Sequence, residues 1–108
     1  MTVIERNLGP KVSYQIEGSR IYFGDALSID LSRYELDDEN HIFICSNRDG
    51  CLYSSIYSNM CYVAEIVIPP RRYIASHKAV YEGSRPVVSK TAVPFDMGRC
   101  TLALFGME

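Results

Sequence analysis

Alternation of apolar and polar side chains constrains this chain more than any other feature. A period of two places one set of residues on one face of a strand and turns the other set to the opposite face. From Lys11 to Ile16, Val12, Tyr14 and Ile16 alternate with Lys11, Ser13 and Gln15. From Leu27 to Ser32, Leu27, Ile29 and Leu31 alternate with Ser28, Asp30 and Ser32. Both segments read as half-buried strands. Gly18-Ser19 and Gly24-Asp25 punctuate the interval between them, which leaves Arg20–Phe23 as a return strand.

The same rhythm continues downstream. His41–Cys45 reads as a short apolar strand and Cys51–Tyr57 as its partner. The intervening Asn47-Arg48-Asp49-Gly50 carries the strongest hairpin signal in the chain, because Asp tolerates positive φ and Gly has no Cβ to clash there. Met60–Ile68 is the longest strand candidate, ended by Pro69-Pro70, neither of which can donate to a ladder. Val87-Val88 and Arg99–Phe105 return to β character, and the second is apolar on both faces, as a central strand is.

One segment departs from the pattern. Across Pro70–Glu82, Tyr73, Ile74, His77, Val80 and Tyr81 fall on one face of a helix, with Pro70 suited to its first position and Gly83 to its C-terminal cap. Arg71 and Arg72 would then stand at the positive end of the helix dipole with no side-chain N-cap before them, so a pair of strands competes with the helix here. Turn signals recur about every 8–12 residues, the spacing of sandwiches and small barrels. The expected fold is a mainly β, compact antiparallel sandwich or small barrel, with one short helix near residues 70–82 as an option. A length of 108 residues fits a single domain over 1–108.

Composition narrows the functional classes. A net charge of −2 does not predict a polyanionic partner, although residues 1–54 carry −4 and residues 55–108 carry +2. The opening MTVIERNLGPKV lacks the long apolar run of a signal peptide, and the longest nearly apolar run, Tyr62–Pro70, is broken by Glu65 and too short to span a bilayer. A cytoplasmic chain without membrane association is expected. In that compartment Cys45, Cys51, Cys61 and Cys100 are expected to be reduced, and their spacing contains no C-x₂-C knuckle.

Motifs for chemistry are absent. His41 and Cys45 share a strand face but would stand about 13 Å apart, beyond the reach of a nucleophile and its base. Asp37, Asp38 and Glu39 are consecutive, so their carboxylates diverge, and they read as a solvated acidic turn. Gly83–Thr91 lacks the glycine that a phosphate loop needs before Lys90. No catalytic residue, metal site or cofactor is assigned.

Two stretches remain as candidate binding surface. Tyr53-Ser54-Ser55-Ile56-Tyr57-Ser58 combines rigid amphipathic rings with small hydroxyls, a recognition chemistry, and Tyr53 and Tyr57 share a strand face. Arg71, Arg72, Tyr73, His77 and Lys78 mix cations with aromatics. The favoured expectation is a non-catalytic binding or assembly module that self-associates or holds a protein partner. A small enzyme or ligand-binding domain, with a site assembled around residues such as Cys45, His77, Asp25 or Asp96, is the first alternative. A single-stranded nucleic-acid binder using the basic segment 71–85 is the second. A contact of Arg71 and Arg72 with the acidic turn Asp37–Glu39 accounts for the same cations without any ligand.

Overall fold

A computed structural model describes residues 1–25, 27–46, 52–55, 62–83 and 85–107, with the backbone alone over 76–82 and 85–89. The described strands are β1 (Thr2–Glu5), β2 (Gln15–Glu17), β3 (Arg20–Phe23), β4 (Leu27–Asp30), β5 (Asn40–Ser46), β6 (Leu52–Ser55), β7 (Tyr62–Ile68), β8 (Tyr73–Glu82), β9 (Arg85–Ala92) and β10 (Thr101–Leu104). The helical pieces among the described residues are two 3-10 turns, Leu31–Tyr34 and Met97–Arg99. Each is opened by an aspartate: the side chain of Asp30 accepts from the Ser32 amide at 3.1 Å and that of Asp96 from the Gly98 amide at 2.9 Å.

A five-stranded sheet in the order β1-β10-β7-β5-β6 faces a three-stranded sheet in the order β2-β3-β4 across one core. Period two explains the packing. Ile42 and Leu102 both stand opposite Ile66 in the ladder, a row of apolar residues across three strands, and all three side chains are buried. Ile21, Phe23, Ile29 and Leu31 fill the same core from the smaller sheet. The alternation reverses at one place: the register slips between Ile44 and Cys45 on β5, where Ile44 pairs with Ala64 and Cys45 with Tyr62. Val63 is thereby the extra residue of a bulge, and Val63, Ala64 and Cys45 are all buried.

The mainly β expectation is met, with several departures in detail. The five-stranded sheet stays open, with β1 and β6 as its edges, so no barrel closes among the described residues. The strand at Lys11–Ile16 shrinks to Gln15–Glu17, and only Val12 of its three apolar residues is buried. The chain entering it is drawn elsewhere: the Met107 amide donates to the Pro10 carbonyl at 2.7 Å, which ties this segment to the far terminus. Leu27–Ser32 is a strand only to Asp30, where the capped turn begins. The first residues, which show no alternation, form β1 and pair parallel to β10.

Residues 70–82 are not a helix. Tyr73–Glu82 is the first strand of a hairpin whose second strand is Arg85–Ala92. Glu82 pairs with Arg85, and the two-residue connection between them needs positive φ at its first position, which Gly83 supplies at 66°. The missing N-cap, the β-branched and aromatic residues of β8 and the β-branched residues of β9 account for the outcome. No helix among the described residues is long and apolar enough to cross a membrane.

Candidate functional site

The β8–β9 hairpin stands apart from the two packed sheets. Its strands pair antiparallel with each other and, among the described residues, with no other strand. Ten residues of β8 at about 3.3 Å each give a ribbon roughly 33 Å long. That length accounts for molecular extents of 63 × 24 × 22 Å and a radius of gyration of 18.1 Å, against about 13 Å for a compact chain of this size. The hairpin is therefore an arm. Its ladder is interrupted once: between the pairs Ala75–Lys90 and Ala79–Val88, the three residues Ser76, His77 and Lys78 stand opposite Ser89 alone.

The root of the arm is fastened to the segment Glu35–Asp37. The Arg71 amide donates to the Leu36 carbonyl at 2.8 Å, so residues 71–73 run alongside 35–37. The Arg71 guanidinium donates through Nη2 to the Glu35 carbonyl at 2.7 Å and through Nε to its carboxylate at 3.4 Å. Its Nη1 lies 3.8 Å from Asp37. The Tyr73 hydroxyl donates to the other end of this cluster, Asp37 Oδ1. Glu35 is the buried charged residue of the described chain, and burial of a carboxylate demands such a partner. The Tyr73 hydroxyl, and after it the Glu35 carboxylate, hold Arg71 above the ordinary guanidinium range. On the other strand the Val93 amide donates to the Arg72 carbonyl at 2.9 Å.

Around this clamp, apolar surface is left uncovered. Leu36 is 50% exposed, Tyr73 43% and Ile74 61%. Tyr34, whose carbonyl accepts from Asn40 Nδ2, is also exposed. Lys90 Nζ sits 6.0 Å from the centre of the Tyr73 ring, at the outer limit of a cation–π contact. Arg72 and Asp38 are exposed and make no ion pair with a described residue.

The sequence-derived candidates are distributed as follows. Arg71, Arg72 and Tyr73 come together at the root. The expected contact with the acidic turn is made within the chain by Arg71, toward Glu35 and Asp37, and Arg72 takes no part in it. His77 and Lys78 lie on the arm backbone at its irregular point, with side chains outside the described residues. Tyr53 is exposed on β6, at one end of the five-stranded sheet order and in a different sheet from β8 and β9. Tyr57 lies outside the described residues. Glu35, Leu36 and Ile74 were not legible as site residues, although the abrupt Pro69-Pro70 ending before an isolated hairpin marks where such a root begins.

Of the residues of the enzymatic alternative, Cys45, Asp25 and Asp96 are described with their side chains and His77 by its backbone alone. Cys45 and Cys100 are buried and not disulfide-bonded, and burial pushes the Cys100 thiol up, away from reactivity. Cys51 and Cys61 lie outside the described residues. Asp96 caps its turn, and Asp25 lies where two open depressions of about 300 and 310 Å³ meet beside Tyr22. His41 is held between two carboxylates, Nδ1 at 2.6 Å from Glu65 and Nε2 at 3.0 Å from Glu39. The hydrogen bond to Glu39, then that to Glu65, raises its pKa above the usual 6.5. Among the described residues no three His, Cys, Asp or Glu side chains are grouped to hold a metal.

Comparison with known proteins adds no relative: no family model, no curated protein and no solved structure matches this chain.

Proposed function

We propose that this chain is a non-catalytic assembly module that self-associates, with the β8–β9 arm as the element that engages its neighbour. The observation that carries this reading is an arm of seven residue pairs, formed by Tyr73–Glu82 and Arg85–Ala92, that among the described residues is hydrogen-bonded into neither sheet. An isolated two-stranded hairpin is marginally stable in water, and burial of a face against another surface is the usual remedy. The arm is also apolar in composition, with Ile74, Val80, Val87 and Val88 in its strands, where a solvated spacer needs none. Charge supports attraction between copies. Residues 71–92 contain five Lys or Arg and one Glu, net +4, while the remaining residues contain six Lys or Arg and twelve Asp or Glu, net −6. The exposed edge at Tyr53 is a secondary surface of the same kind.

The test is light scattering on the eluting peak of a sizing column, run with reducing agent at low and moderate salt. The full chain is expected to elute as a defined oligomer. A variant in which Asn-Gly replaces residues 74–91, closing the hairpin between Tyr73 and Ala92, is expected to be a folded monomer. A full chain that stays monomeric at high concentration overturns the reading. The net charge of the arm favours a second reading, single-stranded nucleic acid, in which Tyr73 would stack a base. Binding of an oligonucleotide by the monomer, falling steeply with salt, distinguishes it.

A further inference from the structure

At the root of the arm three exposed apolar side chains, Leu36, Tyr73 and Ile74, lie on neighbouring segments. Leu36 and Tyr73 stand on adjacent, hydrogen-bonded segments, and Ile74 follows directly on β8. Both signs of charge border this apolar centre: Asp38 on the turn that follows Leu36, and Arg72 at the entry to the arm, both exposed. We infer that this root is an isologous interface, in which a second copy of the chain docks about a two-fold axis and sets its Arg72 against Asp38 and its Asp38 against Arg72. The inference rests on the self-association reading and names its surface.

Self-complementarity is the reason for choosing a second copy as the occupant. A two-fold operation brings each feature of a patch against a different feature of the same patch, so a patch carrying both signs around an apolar centre satisfies its own copy. A nucleic acid would be repelled by Asp37 and Asp38, which lie within the same root. The intrachain clamp of Arg71 on Glu35 and Tyr73 on Asp37 fixes the root itself, so the docking surface there needs little ordering on association.

Charge reversal tests the pairing, because Asp38 and Arg72 are exposed and their substitution leaves the core untouched. The chain carrying Asp38→Lys and the chain carrying Arg72→Glu are each compared with wild type by sedimentation, alone and as an equimolar mixture. Each variant alone places like charges opposite each other twice and is expected to associate at least about tenfold more weakly, the factor that ~1.4 kcal/mol gives. The mixture restores two opposite-charge contacts and is expected to recover assembly at the wild-type concentration. Variants that assemble as wild type does overturn the root interface while leaving self-association standing. Variants that fail alone, are not rescued by mixing, yet recover when both substitutions are placed in one chain also overturn it, because the pair then acts within a chain. A monomeric wild type instead defeats the self-association reading beneath it.

Discussion

Two isoleucines on neighbouring strands in sequence separate the folding role of the body from the role of the arm. Ile66 on β7 is fully buried with Ile42 and Leu102 as its cross-strand partners. Ile74 on β8 is 61% exposed and pairs with Thr91. Substituting Ile66 by alanine deletes three carbons, worth about 0.8 kcal/mol each in transfer, and leaves a cavity that adds to the cost, for a total near 3 kcal/mol. A domain of this size is stabilised by roughly 5–15 kcal/mol in all, so the loss is a large fraction. The same deletion at Ile74 removes surface that already contacts water and is expected to cost below about 1 kcal/mol. With eight Tyr and no Trp, tyrosine fluorescence and far-UV circular dichroism report urea unfolding. At an m of about 1.5 kcal/mol/M, Ile66→Ala lowers the midpoint by about 2 M and Ile74→Ala by less than about 0.7 M. The titration is run at low protein concentration so that assembly does not add to stability. Ile74→Ala is expected to weaken association instead. If Ile74→Ala destabilises the monomer as much as Ile66→Ala does, the arm packs on the body and the reasoning from a free arm fails.

Other outcomes follow from the same structure. His41 has a raised pKa, so its contribution is fully present below the unfolded value near 6.5 and is lost as pH rises through the folded value. His41→Gln should therefore narrow the stability difference between pH 5.5 and 9 by an amount below about 1 kcal/mol, since the ring is 41% exposed and its pairs are screened; an unchanged difference in denaturant midpoints refutes the clamp. A Cβ at Gly106 would collide with the Leu8 carbonyl oxygen, a backbone atom that cannot simply rotate aside. Gly106→Ala is expected to cost about 1–3 kcal/mol and to lower the melting temperature by about 4 °C or more; an unchanged melting curve shows that this closing loop yields freely.

The sequence carried the body of the fold well and the arm poorly, for reasons that are physical. Strands with one face in the core, such as Leu27–Asp30 and Tyr62–Ile68, advertise themselves because burial enforces the alternation. Thr2–Glu5 has no buried residue and relies on pairing with β10, which leaves no trace in local pattern. The arm misled because its spacing of apolar residues matches a helix by chance. It joins neither of the two core sheets among the described residues, and its ladder slips between Ala75 and Ala79. At the candidate site, Arg71, Arg72 and Tyr73 drew notice as a basic and aromatic run. Glu35 and Leu36 did not, because their role arises from a hydrogen bond thirty-five residues away, between the Arg71 amide and the Leu36 carbonyl.

The division of labour along β8 gives the arm its meaning. Each ordered backbone residue costs about 1–2 kcal/mol of conformational entropy, and a ladder alone does not offset this. Within the chain the offset is concentrated at the root, where Arg71 and Tyr73 are tied to Glu35 and Asp37 and Val93 closes onto Arg72. Those contacts fix where the arm leaves the body and in which direction. They do nothing for the residues beyond Ala75. A spacer in that position would carry polar residues on both strands, yet Val80, Val87 and Val88 stand there. Apolar residues on a ribbon that joins neither sheet among the described residues are a liability for aggregation wherever no other surface covers them. A fixed root leading into a hairpin that joins neither sheet among the described residues is what the proposed docking arm requires.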